Sequence, residues 1–258
     1  MSNLGPHQRL SNFIAARFGS FGRGVPGGVL GLTYGLYKLV DLRRFRRVAA
    51  RWVIPGSVAI DIGAHVGYTS DALLPLVGSS GKVIAIEPQR SIVNSLRLRI
   101  ESSGNRAATL IIEAAAHEND GWGSLEVAGA FGTDTRLIAE AGQTKLLKLD
   151  SLFSEFQGRS VSFVKLDAQG AEISVLRGAT NLLKVHRPTL FVELLGDNLA
   201  NGACDWRVLY GYLSDRGYVS IRPDRCQRKL FDSRSIAKRL RYREFTDGLF
   251  VHESHLAK

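Results

Sequence analysis

Short apolar runs that each lead into a turn and then a helical segment constrain this chain more than any other feature. Val58-Ala-Ile-Asp-Ile62 shows no polar alternation, as expected of a strand covered on both faces. Lys82-Val-Ile-Ala-Ile-Glu87 repeats the pattern, and Pro88 is expected to open a helix on which Ile92, Val93, Leu96 and Ile100 recur at helical spacing. Thr109 to Ile112, Ser162 to Asp167 and Thr189 to Glu193 are the next strands. A short helix is expected near Thr69 to Leu76, one helix carrying Val175, Leu176, Leu182 and Leu183 after the fourth strand, and another from Asp205 to Arg216, ended by Gly217. Tyr218 to Ile221 and Gly248 to Val251 close the chain as strands. With no clear helix between them, these two should pair antiparallel. Strands alternating with helices predict an α/β fold, a doubly wound and mainly parallel sheet with an antiparallel last strand.

The chain has 258 residues, 45% of them hydrophobic and 22% charged, which supports a sizeable core and excludes a disordered or membrane-embedded class. Its net charge of +10 is unevenly placed. Residues 1–52 carry +8, residues 216–258 carry +6, and the body between them carries −4. The expected organisation is a basic N-terminal extension or cap over 1–52 and one ligand-binding domain over 53–258. Val25 to Val40 is apolar but interrupted by glycines, a proline and Lys38, and at 16 residues it falls short of a bilayer span, which takes roughly 20. It reads as a cap, or as a segment lying on a membrane surface. The N-terminus shows no secretory pattern, and Cys204 and Cys226 suit no disulfide framework. Both point to the cytoplasm.

In an open α/β sheet the ligand sits beyond the carboxyl ends of the strands, where strand order reverses. Asp61-Ile-Gly63-Ala-His-Val-Gly67 leaves the first strand there. Gly63 allows a sharp turn, and Gly67 lets the next helix lie close to the strand. A carboxylate at Asp61 would repel a pyrophosphate, so a dinucleotide is disfavoured, and the G-x-G-x-x-G pattern is absent. The sulfonium and amino groups of S-adenosylmethionine suit Asp61 instead. Glu87, closing the second strand, is placed to accept hydrogen bonds from both ribose hydroxyls.

Val58 to Tyr68, Gly81 to Pro88, Phe163 to Glu172 with Val175-Leu-Arg-Gly178, Leu147 to Leu152 and Arg187 to Glu193 together resemble the FkbM-type methyltransferases. The resemblance covers about residues 53 to 195. It implies a seven-stranded Rossmann-like sheet, S-adenosylmethionine as cofactor, and O-methylation of sugars and other small hydroxylated molecules. By that resemblance Asp61, Gly63, Ala64 and Gly67 line the methionine end of the cofactor, Glu87 its ribose, and the backbone around Ala115 its adenine. Two positions depart from the family pattern. Gln169 stands where a glutamate is common, which removes a catalytic carboxylate there, and His65 stands where asparagine is common.

Transfer to an alcohol needs alignment of acceptor and methyl group and removal of the hydroxyl proton. Asp167, closing the fourth strand, is the first candidate for base or acceptor anchor. Glu172 is either an acceptor residue or a cap in the first turn of the next helix. Glu193, closing the fifth strand, is the third candidate. Lys165, on the same sheet face as Asp167 but deeper, reads as the partner of a buried carboxylate. Gly129 to Asp134 is a candidate acceptor loop or simply a turn between strands. The six histidines are scattered without metal-ligand spacing, so no metal site is assigned; a metal-assisted version would draw on Asp167 and Glu193. The leading expectation is an O-methyltransferase with a small-molecule or glycan acceptor. An RNA methyltransferase is the rival that the basic flanks suggest, though no RNA-binding module accompanies them, and a non-catalytic cofactor-binding scaffold is the third. The flanks also suit peripheral contact with an anionic membrane.

Overall fold

The structure is a computed structural model, and it describes residues 42–105, 107–128, 134–195, 205–223, 231–241 and 245–256. The Val25–Val40 stretch, Cys204, Cys226 and residues 129–133 of the expected acceptor loop lie outside the described residues.

A helix over residues 42–49 (α1) precedes the first strand, β1 (Val58–Ile62). The chain continues through α2 (Tyr68–Val77), β2 (Lys82–Glu87), α3 (Arg90–Ser102) and β3 (Ala108–Glu113). After β4 (Ala115–Ala116), β5 (Gly121–Ala128) and β6 (Asp134–Leu147) come β7 (Val161–Leu166), α4 (Glu172–Arg177), α5 (Thr180–His186) and β8 (Thr189–Leu195). The last elements are α6 (Trp206–Ser214), β9 (Tyr218–Ile221), α7 (Ser233–Leu240) and β10 (Phe245–His252).

Seven strands form one sheet in the order β3-β2-β1-β7-β8-β10-β9. The first five of these run parallel, while β10 pairs antiparallel with both β8 and β9. Every residue of β1, β2 and β7 is buried, because helices cover both faces. Alternation divides the core accordingly. Val58, Ile60 and Ile62 join one apolar cluster with Val164, Leu176 and Leu182. Ala59 joins the other with Val83, Phe163 and Phe191. Helix α1 packs on this second face: Phe45, Val48 and Ala49 are buried, and the Phe45 ring meets Phe163 and Phe191 edge-on, with centroids 6.0 and 5.4 Å away. Among the described residues no helix is long and apolar enough to cross a membrane.

Four expectations are corrected. Helix α7 lies between the last two strands, although these do pair antiparallel. Its basic composition hides a single buried apolar anchor, Ile236, and its N-terminus is capped by Asp232, whose carboxylate accepts from Ser235 N at 2.9 Å. The segment after β7 is two helices rather than one. They break around Gly178, where an added Cβ would stand 2.1 Å from the His117 carbonyl oxygen. The helix after β2 begins at Arg90, with Gln89 as its cap, rather than at Pro88. Finally, β4, β5 and β6 form a second, three-stranded sheet, of which the sequence reading offered only a turn between strands at Gly129 to Asp134.

Candidate active site

The chain moves outward from β1 to β2 and β3, then returns to lay β7 on the other side of β1. The crevice at this reversal opens into a cavity of about 280 Å³, bounded by the loop after β1, the end of β2, the Ala114–Ala116 segment, the end of β7 and helix α1.

The loop after β1 is shaped by backbone contacts. Gly63 N and Ala64 N both donate to Ile86 O, at 3.0 and 3.1 Å. Gly63 has φ +70°, and a Cβ there would fall 2.0 Å from Asp167 O, so only glycine fits. At Gly67 a Cβ would meet Leu96 Cδ1 at 2.6 Å, which is how α2 and α3 come close. Arg99 then braces the loop: its Nε donates to Val66 O at 2.8 Å, and its guanidinium stacks 3.8 Å from the Tyr68 ring centroid.

Glu87 faces this loop from β2. Its Oε2 accepts from His65 N at 2.8 Å and its Oε1 from Gln89 N at 2.9 Å. Burial, only partly offset by those hydrogen bonds, raises its carboxyl above the ordinary glutamate value. His65 holds a left-handed backbone, φ +50°, and lines the cavity together with Ala64 and Ala115.

Asp61 is fully buried, at 0% exposure, and stands beneath the cavity rather than on its wall. Its Oδ2 accepts from Thr69 Oγ1 at 2.7 Å and Ser70 Oγ at 2.6 Å, while its Oδ1 lies 3.6 Å from Lys165 Nζ and has no hydrogen bond among the described residues. Asp61, expected at the methionine end of the cofactor, reaches the cavity wall only through Thr69 and Lys165, which line it. Lys165 also donates to Gly63 O at 3.0 Å and lies 3.2 Å from Asp167 Oδ2. Burial opposes its charge, but Asp167 and Asp61 outweigh burial and hold its pKa above the usual lysine range.

Strand alternation places Asp61, Lys165, Glu193 and Asp247 on one sheet face, and Asp167 follows on the same side. Glu193 and Asp247 are direct register partners. Burial first, and then the charges of Asp167, Glu172 and Asp247, push the Glu193 carboxyl well above the ordinary glutamate value. Arg44 of α1 closes this end, its Nη1 lying 3.2 Å from Asp247 Oδ2.

Glu172 sits elsewhere. It is 1% exposed, and its carboxylate accepts from Ala168 N at 3.0 Å and Gly170 N at 3.1 Å, so of its two expected roles the capping one is what the contacts display. Burial raises its carboxyl as well.

Asp167, Glu193, Lys165, Glu87, Gly63, Ala64 and Ala115 thus meet at one cavity, with Asp61 below it and Glu172 behind it. Sequence reasoning missed Arg44, Asp247 and Thr69. Phe45, Val48 and Ala49, spaced as one helical face, were the signal that could have turned α1 toward the site. Among the described residues no three His, Cys, Asp or Glu side chains are grouped as a cation site.

A family model described as the methyltransferase FkbM domain matches residues 61–220. None of the curated proteins matches the chain. Among solved structures the chain is similar to methyltransferase FkbM from Methylobacillus flagellatus KT, with 20% identity and a TM-score of 0.49, covering 77% of this chain and 44% of that one. The chain thus spans less than half the length of that protein. It is also similar to a SAM dependent methyltransferase from Aquifex aeolicus, with 13% identity, TM-score 0.45, and 83% and 88% of the two chains covered. An rRNA methylase from Streptococcus thermophilus gives 12% identity, TM-score 0.45, and coverage of 81% and 94%.

Proposed function

We propose, since this chain belongs to the FkbM methyltransferase family, that it methylates a hydroxyl of a sugar, a glycan or another small metabolite. In this reading its methyl donor is S-adenosylmethionine. When bound, S-adenosylmethionine supplies a methyl group made electrophilic by its sulfonium. The residues present suit that cofactor. A side chain at 63 would fill the space against Asp167 O, Glu87 offers a carboxylate fixed by two backbone N–H groups, and Asp61 keeps one buried oxygen without a hydrogen bond. In this reading the Gly63–Gly67 loop holds the methionine end, with Asp61 acting through Thr69 and Lys165. Glu87 accepts the ribose hydroxyls, and Ala115 lies beside the adenine.

The observation that carries the acceptor class is the carboxylate end of the cavity. Asp167 reaches it with Lys165 3.2 Å behind, and Glu193 and Asp247 stand on the same face. Asp167 is placed to accept the proton that an acceptor hydroxyl would give up on methylation. Lys165, 3.2 Å from Asp167 Oδ2, orients it. A hydroxylated, uncharged acceptor suits this end, whereas phosphate groups would be repelled by three carboxylates.

The rival reading, an RNA acceptor, draws on the exposed Arg43, Arg46 and Arg47 of α1, which point away from the core. The same arginines suit an anionic membrane surface from the cytoplasmic side. A transfer assay with labelled cofactor on glycan, small-metabolite and RNA fractions separates the readings. Label in the glycan or metabolite fraction supports this one; label confined to RNA overturns it.

A further inference from the structure

Asp167 and Glu193 bring carboxylate oxygens into the same end of the cavity, and one side chain touches both. Gln169 Nε2 lies 2.7 Å from Asp167 Oδ1 and 3.2 Å from Glu193 Oε2. A primary amide nitrogen carries two hydrogens, one for each acceptor. We propose that Gln169 is a positioning residue whose amide holds Asp167 and Glu193 as one fixed pair, so that the acceptor hydroxyl meets a base of set direction. The inference rests on the role of Asp167 as base in the reading above.

The geometry around the amide supports it. The two oxygens of Asp167 are divided between partners, Oδ2 to Lys165 at 3.2 Å and Oδ1 to Gln169. Ionised carboxylates are acceptors only, so a neutral donor between them relieves a repulsion that no carboxylate could. Gln169 is also held for the purpose. It has φ +51°, followed by Gly170 at φ +102°, in a turn closed by Ala171 N donating to Ala168 O at 3.1 Å. A left-handed backbone is uncommon outside glycine and persists where the surroundings fix it. Here the buried Glu172 fixes it, by accepting from Ala168 N and Gly170 N. Glu172 therefore sets the turn, the turn aims Gln169, and Gln169 aims the pair.

The charged groups facing the pair come from several elements: Asp61 on β1, Lys165 on β7, Asp247 on β10, Glu172 on α4 and Arg44 on α1. Carboxylates already outnumber cations there. Burial and Asp167 already push the Glu193 carboxyl upward, and a further carboxylate at 169 would add to that tension.

The test is a carbon-13 NMR titration of the side-chain carboxyls in the full chain saturated with S-adenosylhomocysteine, with Asp167 and Glu193 assigned through D167N and E193Q. In Q169E one further carboxyl titrates above the ordinary carboxylate range. In Q169L, which removes both hydrogen bonds without adding charge, the Glu193 transition moves to higher pH than in the wild type. Transitions of Asp167 and Glu193 that stay at their wild-type positions in both variants overturn the proposal. No methyl acceptor takes part in this titration, so its outcome is separate from the base role itself, which falls instead if D167N still transfers methyl groups.

Discussion

Asp61 and Lys165 occupy matching register positions on the adjacent strands β1 and β7, and Lys165 Nζ, at the cavity wall, lies 3.6 Å from Asp61 Oδ1 beneath it. The lysine ties the cofactor loop, through Gly63 O at 3.0 Å, to Asp167 at 3.2 Å. One buried cation thus links the part of the site assigned to the methyl donor with the part assigned to the acceptor.

Lys165→Met leaves the Asp61 carboxylate buried without a cation and should destabilise the chain by about 3 kcal/mol. Asp61→Asn should cost less, because Lys165 keeps Asp167 at 3.2 Å. The double variant D61N/K165M should lose less than the sum of the two single variants, because Asp61 is then no longer stranded. Urea unfolding of the four proteins measures this coupling. Calorimetry on D61N should also show weaker S-adenosylhomocysteine binding.

Glu193 supplies a pH dependence. Its folded carboxyl is raised above the ordinary value of 4.5, so the folded state binds its proton more tightly than the unfolded state. The stability it contributes is fully present below pH 4.5 and is lost as pH rises through the folded value. E193Q should therefore flatten the decline in stability above pH 4.5. Denaturant midpoints of the two proteins across that window test this, and parallel declines would count against it.

The turn at Gly63 allows a matched comparison. Gly63→Ala meets Asp167 O at 2.0 Å and sits at φ +70°, whereas Gly104→Ala at φ +68° meets nothing within 4 Å. Both incur the backbone strain of about 1 kcal/mol, but G63A should lose at least ~2 kcal/mol more and part β1 from β7. Thermal unfolding of both variants ranks them.

Glu87→Gln keeps the shape of the β2 end while removing its charge. Loss of two charge-assisted acceptors for a ribose should weaken S-adenosylhomocysteine binding by about tenfold or more, read by calorimetry. Binding as tight as in the wild type would take Glu87 out of the cofactor site.

Much of this was legible because burial writes itself into the sequence. β1, β2, β7 and β8 are covered on both faces and read as near-continuous apolar runs. Their ends, with alternation, placed Asp61, Glu87, Lys165 and Asp167. The β5–β6 sheet was missed because its strands are mixed in composition and Trp122 faces solvent at 59% exposure. Helix α7 was missed because only Ile236 among its residues is buried. Arg44 sits among Arg43, Arg46 and Arg47, which are exposed, and composition does not tell which arginine turns inward. That choice is made by Phe45 docking on Phe163 and Phe191, a tertiary event. Gln169 read as a missing carboxylate, and only the left-handed turn around it brings its amide against two others.

The central claim is that Asp167 takes the acceptor's proton at one end of a cavity whose other end holds the cofactor. The most direct measurement pairs methyl transfer by Asp167→Asn, on the fraction that the wild type labels, with calorimetry of S-adenosylhomocysteine binding to the same variant. In D167N transfer is expected to be abolished while affinity stays within a few-fold of the wild type. Wild-type turnover in D167N would contradict it.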